Sequence, residues 1–316
     1  MYNNKKVLLI GGGGTLGTYT AEELLRLGAK VDILCPEDKV SHHENLRFIQ
    51  DYATEQVFDA IFAETHYDAV VNFIHYTSLE DYIPHHEKII AKTDQLVFLS
   101  SYRVYADEQH PITESAPRLL EVAKDEFFLA NENYALPKAK CEDYLRTRCA
   151  NQPWTIVRPV ISFSQRRMDL LVFSGTKVLD FAKEGKTLIM PECAKNLHAG
   201  LDWAGNSGKL IANLLFKKEA INGTFTVSSG QNLTWGEVVE IYEKHVGLKV
   251  RWTSEEEFRQ YYMPGKPGWP WVYDRQYDRE VDNSAILAAT GLKKEDFTSI
   301  EDGILTELKN LNYPLA

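Results

Sequence analysis

Four consecutive glycines, Gly11 to Gly14, follow a short apolar run at residues 6–10, and Gly17 closes the pattern three residues later. Residues 15–27 then carry Leu16, Leu24, Leu25 and Leu27 on or near one helical face, with Gly28 as a stop. A strand, a glycine turn and a helix in that order leave few folds open. Gly11 permits the tight turn, Gly14 lets backbone N–H groups approach a ligand, and Gly17 lets helix and strand pack closely. The helix N-terminus adds partial positive charge, so the loop suits a pyrophosphate and, through it, a dinucleotide. Residues 30–35 read as a second strand. Cys35, at its end, stands where an acid normally meets the adenosine ribose. Glu37 or Asp38 just beyond would favour NAD by repelling a 2′-phosphate, whereas Lys39 would favour NADP; the balance leans slightly to NAD.

Further strand-like runs at 46–50, 69–74, 95–100 and 154–158 are separated by helix-like segments at 54–66, 79–92 and 134–149. This alternation predicts an α/β fold built on a doubly wound parallel Rossmann sheet. After Pro159 the pattern becomes irregular, with helices at 203–216, 235–245 and 300–311. Thr234 and Glu237 have the spacing of a capping box. The run 224–228 reads as a strand able to return to the main sheet. Residues 1–160 are therefore expected to form the dinucleotide-binding domain, and 161–316 mainly a smaller C-terminal α+β substrate lobe. The Pro/Gly/Trp-dense stretch 263–271 reads as an irregular loop.

Thirty-five Lys and Arg against 45 Asp and Glu give a formal charge of −10. That sign argues against a broad grip on nucleic acid or an anionic membrane. The run at 7–10 is too short for a signal-peptide core, and no window approaches the roughly 20 apolar residues of a membrane span. Cys35, Cys141, Cys149 and Cys193 lack any CxxC spacing, so free thiols and a cytoplasmic protein are expected. The HHE triplets at 42–44 and 85–87 have no evident third ligand, and no metal is expected.

Tyr134 and Lys138 stand four residues apart, on one helix face, with Pro137 in the first turn where its missing N–H costs little. A neighbouring ammonium, together with a positive nicotinamide ring, favours the phenolate and so suits Tyr134 as a general base toward a hydroxyl. Upstream, the strand at 97–101 ends in two hydroxyls, and Ser101 is placed to hydrogen-bond the same substrate oxygen.

The order of motifs here (GxxGxxG, then Ser100-Ser101-x-x-Val104-Tyr105, Tyr134-x-x-x-Lys138, and a strand ending Val157-Arg158-Pro159) resembles the extended short-chain dehydrogenase/reductase superfamily, in its NAD-dependent epimerase/dehydratase branch. Asp282-Asn283-Ser284 followed by Thr290-Gly291-Leu292 is similar to that branch's C-terminal segment. The resemblance implies catalytic roles for Ser101, Tyr134 and Lys138, and cofactor roles for Gly11, Gly14 and Gly17. Thr15, Leu16, Cys35, Tyr134, Lys138 and Pro159 complete the expected cofactor contacts. It also implies a homodimer, formed through the helices at 79–92 and 134–149. The stretch 111–117 resembles a subgroup of bacterial members often labelled sugar-nucleotide enzymes and related to RNA-binding chloroplast proteins.

Dehydratases of the branch carry an Asp-Glu pair directly after the hydroxyl residue. Here Tyr102 and Arg103 stand in those places, which disfavours dehydration. Epimerisation or simple oxidoreduction of a sugar or nucleotide sugar needs only the Ser-Tyr-Lys set, and those two stay open. A diphosphate would need cations from the second lobe. Arg166, Arg167 and Arg275 are the candidates, with Arg251 and Arg279 behind them, and His75 is a further candidate substrate contact. Phe163-Ser164-Gln165 replaces the branch's YGP-like segment, a departure from its usual nucleotide-sugar site. Trp252, Trp269 and Trp271 would line a sugar pocket or pack under a loop. Glu114 and Asp202 are cleft or cap residues. A dehydrogenase or reductase of a non-nucleotide sugar or ketone is one rival. An RNA-binding or dinucleotide-sensing protein on the same scaffold is another.

Overall fold

The apolar runs of the first half are buried on both faces, as strands flanked by helices must be. β1 (Lys6–Ile10), β2 (Lys30–Cys35), β3 (Leu46–Gln50), β4 (Ala69–Asn72), β5 (Leu96–Leu99) and β6 (Trp154–Pro159) are all parallel. The computed structural model describes residues 2–265, 268 and 271–315. Trp269 therefore lies outside the described residues. The connecting helices are α1 (Thr15–Arg26), α2 (Glu55–Glu64) and α3 (Leu79–Ile90). Two short helices, α4 (Leu119–Val122) and α5 (Glu126–Asn131), precede α6 (Ala135–Arg148).

The second half contributes β7 (Ile161–Phe163), α7 (Lys177–Lys183), β8 (Thr187–Pro191), β9 (Leu201–Trp203), α8 (Ala204–Leu214) and β10 (Thr224–Val227). It ends with α9 (Trp235–Val246), β11 (Lys249–Thr253), α10 (Glu255–Tyr262), α11 (Ser284–Thr290) and α12 (Ile300–Asn310). β10 adds to the main sheet beside β6, with Thr224 opposite Ile156. The sheet is seven-stranded in the order β10-β6-β5-β4-β1-β2-β3. The direction of travel reverses between β1 and β4, so a crevice opens beyond their carboxyl ends.

Several helix starts follow local chemistry. Thr54 caps α2 by accepting from Val57 N at 3.3 Å. Thr234 and Glu237 form the expected reciprocal cap of α9. At α6 the structure differs from the sequence reading, because Tyr134 precedes the helix as its cap residue. The cause is Glu132, whose carboxylate accepts from the backbone N–H groups of Tyr134, Ala135 and Leu136 at 2.9–3.1 Å. An acid at this point answers several orphan donors of the first turn at once.

One face of the sheet is covered by α1 and α8, whose Ala21, Leu24, Leu210, Ile211 and Leu214 share a core with β1 and β2. The opposite face packs on α2, α3 and α6. A separate core fills the lobe, around Phe163, Met190, Trp235, Tyr242, Phe258 and Trp271. Two small parallel pairs, β11 with β8 and β7 with β9, brace that lobe. Among the described residues no helix is long and apolar enough to cross a membrane.

Candidate active site

A cleft of about 460 Å³ lies beyond the carboxyl ends of the central strands. One wall is the glycine loop, with Gly11, Gly14, Thr15, Leu16 and Gly17. Gly11 has φ +70°, a left-handed turn that favours glycine. A Cβ on Gly17 would overlap the Gly12 carbonyl, so the helix can lie this close to the strand only without a side chain. At Gly14 nothing stands within 4 Å of where a Cβ would be. α1 has no side-chain cap and no acid in its first turn. An open loop over an uncapped helix start fits the pyrophosphate of a dinucleotide.

The facing wall comes from β5, β6 and α6. Ser101, Tyr134 and Pro159 all line the cleft. Lys138 does not line it. It is buried behind Tyr134, with Nζ 5.4 Å from the phenol ring centroid and donating to the Leu99 carbonyl at 2.5 Å. Burial pushes the Lys138 ammonium below its ordinary pKa, and Tyr134 partly offsets that. Ser101 caps the short turn Tyr102–Val104 by accepting from Arg103 N at 3.2 Å. That bond occupies an acceptor site and leaves the hydroxyl hydrogen free to donate. The His75 ring lies 4.9 Å from that of Tyr134. Burial first, then Lys138, hold the His75 imidazole below its ordinary pKa.

The arginines separate. Arg167 and Arg275 line the cleft, whereas Arg166 turns away and donates to Gly13 O at 3.1 Å. Gln165 and Arg166 form a tight turn closed by two backbone bonds between Ser164 and Arg167, which sends the neighbouring side chains to different places. Lys39 donates to the same Gly13 carbonyl at 2.6 Å. Cys35, buried at the end of β2, sits beneath that glycine. The Glu37 carboxyl beside it is held below its ordinary range by its own backbone amide, then by Cys35, Lys39 and Arg166. Two cations and one acid thus gather where the ribose is expected. Arg251 pairs with Glu257 on the surface. Arg279 is buried and donates to Tyr105 O. Trp271 is a core residue whose indole donates to Glu255 at 2.9 Å, and Trp252 packs half-buried beside the lobe core.

Sequence reasoning missed what holds this wall in place. Glu142 on α6 is fully buried and accepts from Ser100 Oγ at 2.5 Å, from Arg158 at 2.8 and 2.5 Å, and from Arg118 at 3.0 Å. Burial would raise its carboxyl, but Arg158, Arg146 and Ser100 bring it down to about 2. Asp274 was missed as well. It is buried, accepts from Tyr102 OH at 3.0 Å and Arg275 at 2.7 Å, and is held below the ordinary carboxylate range by Arg275, Arg103 and Arg279 against its own burial. Glu114, flagged without a role, accepts from Thr226 N and so holds β10. Asp202 is buried beneath α8. Among the described residues no cluster of three or more His, Cys, Asp or Glu is arranged to hold a metal.

Comparison with solved structures places the whole chain on a known architecture. The UDP-glucose 4-epimerase of Thermotoga maritima with UDP-glucose superposes with a TM-score of 0.71 at 14% identity, covering 97% of this chain and 98% of that one. The ADP-L-glycero-D-manno-heptose-6-epimerase of Helicobacter pylori gives 0.72 at 14% identity, covering 98% and 97%. The UDP-glucose-4-epimerase of Stenotrophomonas maltophila, with bound NAD and formylated UDP-arabinopyranose, gives 0.72 at 16% identity and 97% of both chains. At these identities the likeness is one of fold. No curated protein matches the chain in sequence. The family profile for the NAD dependent epimerase/dehydratase family matches residues 7–190, and with the glycine loop and parallel sheet in place the chain belongs to that family.

Proposed function

We propose that this protein is an NAD-dependent epimerase or oxidoreductase acting at a secondary alcohol or ketone of a sugar or nucleotide sugar, with Ser101, Tyr134 and Lys138 as its reacting set. The observation that carries the reading is that Ser101 and Tyr134 share one cleft with Gly11, Gly14 and Gly17, with Lys138 packed behind the phenol. NAD bound along the glycine loop supplies the hydride acceptor. Tyr134 takes the hydroxyl proton, Ser101 donates to the same oxygen and fixes its position, and the Lys138 ammonium favours the phenolate. The fold neighbours crystallised with UDP-sugars support the substrate class. Residues 1–160 would carry most of the cofactor site and 161–316 most of the substrate site. A cytoplasmic homodimer joined through α3 and α6 completes the proposal. The test is Tyr134→Phe. Turnover should fall at least a hundredfold while NAD binding, measured by calorimetry, stays within twofold of the wild type. Undiminished turnover would overturn the scheme.

A further inference from the structure

Arg103 occupies a place next to the reacting hydroxyls that nothing in the scheme above uses. It follows Ser101 by two residues, and its guanidinium lies over the Tyr134 ring, with Cζ 4.8 Å from the centroid. It also lines the cleft. Its two nearest acids are already engaged. Glu132, 3.9 Å from Nη2, gives both oxygens to the N-terminal N–H groups of α6. Asp274, 3.2 Å from Nε, accepts from Tyr102 and Arg275. Among the described residues the Arg103 side chain makes no hydrogen bond, and its Nε is buried without one.

The other cleft cations differ. Arg275 gives Nε to the Leu171 carbonyl at 2.7 Å and Nη1 to Tyr102 and Asp274, each at 2.7 Å. Arg167 is paired with Asp169 at 2.7 Å. Arg103 keeps an ion pair with Asp274 through Nε at 3.2 Å, but its two Nη groups make no hydrogen bond among the described residues and face the cleft side of the guanidinium. Its planar fork matches a carboxylate or a phosphate. The guanidinium stands 4.8 Å from the ring centroid of the phenol proposed above to take the hydroxyl proton.

Resting on the function proposed above, we propose that Arg103 binds an anionic group carried by the substrate close to the reacting carbinol, which makes the substrate an acidic sugar: a uronate-type carboxylate or a ring phosphate, in place of a neutral hexose. The test titrates NAD-loaded protein with matched probes, UDP-glucuronate against UDP-glucose and glucose 6-phosphate against glucose. In the wild type one acidic probe should bind at least tenfold more tightly than its neutral counterpart. The uronate pair and the phosphate pair separate the two sources of charge. Arg103→Ala should erase that preference, and Arg103→Lys should restore part of it. Both variants should keep native circular dichroism and NAD affinity within twofold. Absence of any acidic preference in the wild type, including the case in which no probe binds, overturns the assignment, as does a preference that survives Arg103→Ala. Loss of NAD binding in the wild type, or full turnover by Tyr134→Phe, would instead sink the underlying function.

Discussion

Glu142→Gln tests how α6 is held to the sheet. The Glu142 carboxyl is fully buried and lies at about 2, against an ordinary 4.5. At about 1.4 kcal/mol for each tenfold in proton affinity, that difference is worth about 3 kcal/mol of stability at neutral pH. The sign follows from the direction. A folded-state value below the unfolded one contributes fully above pH 4.5 and is lost as the pH falls toward 2. A second route gives the same size. Removing one partner of a buried ion network leaves Arg158 and Arg118 undercompensated, at about 3–5 kcal/mol. With an unfolding entropy of about 2 cal/mol/K per residue over 316 residues, about 3 kcal/mol lowers the melting temperature by roughly 5 °C. Urea denaturation of wild type and Glu142→Gln at pH 7 should show the full gap. The gap should narrow below pH 4.5, where the wild type loses the contribution and the glutamine does not. A gap under about 1 kcal/mol at pH 7, or one unchanged by acid, would refute the reasoning.

Two further outcomes are expected. Gly17→Ala should remove NAD binding in calorimetry while the α/β circular dichroism stays native, because the added methyl overlaps the Gly12 carbonyl and displaces α1; retained affinity would contradict the close-packing role. Asp202, whose carboxyl burial raises to about 6 despite the donors Asn206, Ser229 and Trp203, should titrate near pH 6 by carboxyl ¹³C shift. Its buried carboxylate makes stability decline as pH rises from about 4 to 6, and a midpoint below 5 would contradict this.

Much of the nucleotide half was legible because its signals are local. Buried parallel strands are short apolar runs, and the first crossover helix follows directly from Gly14. The Tyr134 and Lys138 spacing survived a one-residue shift of the helix start, since an N-cap residue still stands beside the residue four positions on. The lobe was harder. β7 and β9 span only three residues each, too few to show alternation, and they exist because they pair with one another. Arg166 and Arg167 look equivalent in sequence, yet the turn at Ser164 parts them. Arg103 was noted only for the acid it replaces. Its approach to Tyr134 depends on how the turn after β5 meets the start of α6, which no spacing encodes.

The late return of β10 also sets a timetable for synthesis. Ile156 and Thr224, paired neighbours in the sheet, are separated by 68 residues. At roughly 5–20 residues per second, the ribosome leaves β6 as an open edge for several seconds, and α1, which precedes α8 by most of the chain written so far, lacks that covering helix for longer still. A nascent chain stalled in that interval carries a complete glycine loop on an unsealed core, with an apolar helix face and a bare strand edge exposed together. The half that carries the glycine loop is therefore the first part written and among the last to be finished. A fragment ending near residue 160 should behave as a client for chaperones, not as a free-standing cofactor module.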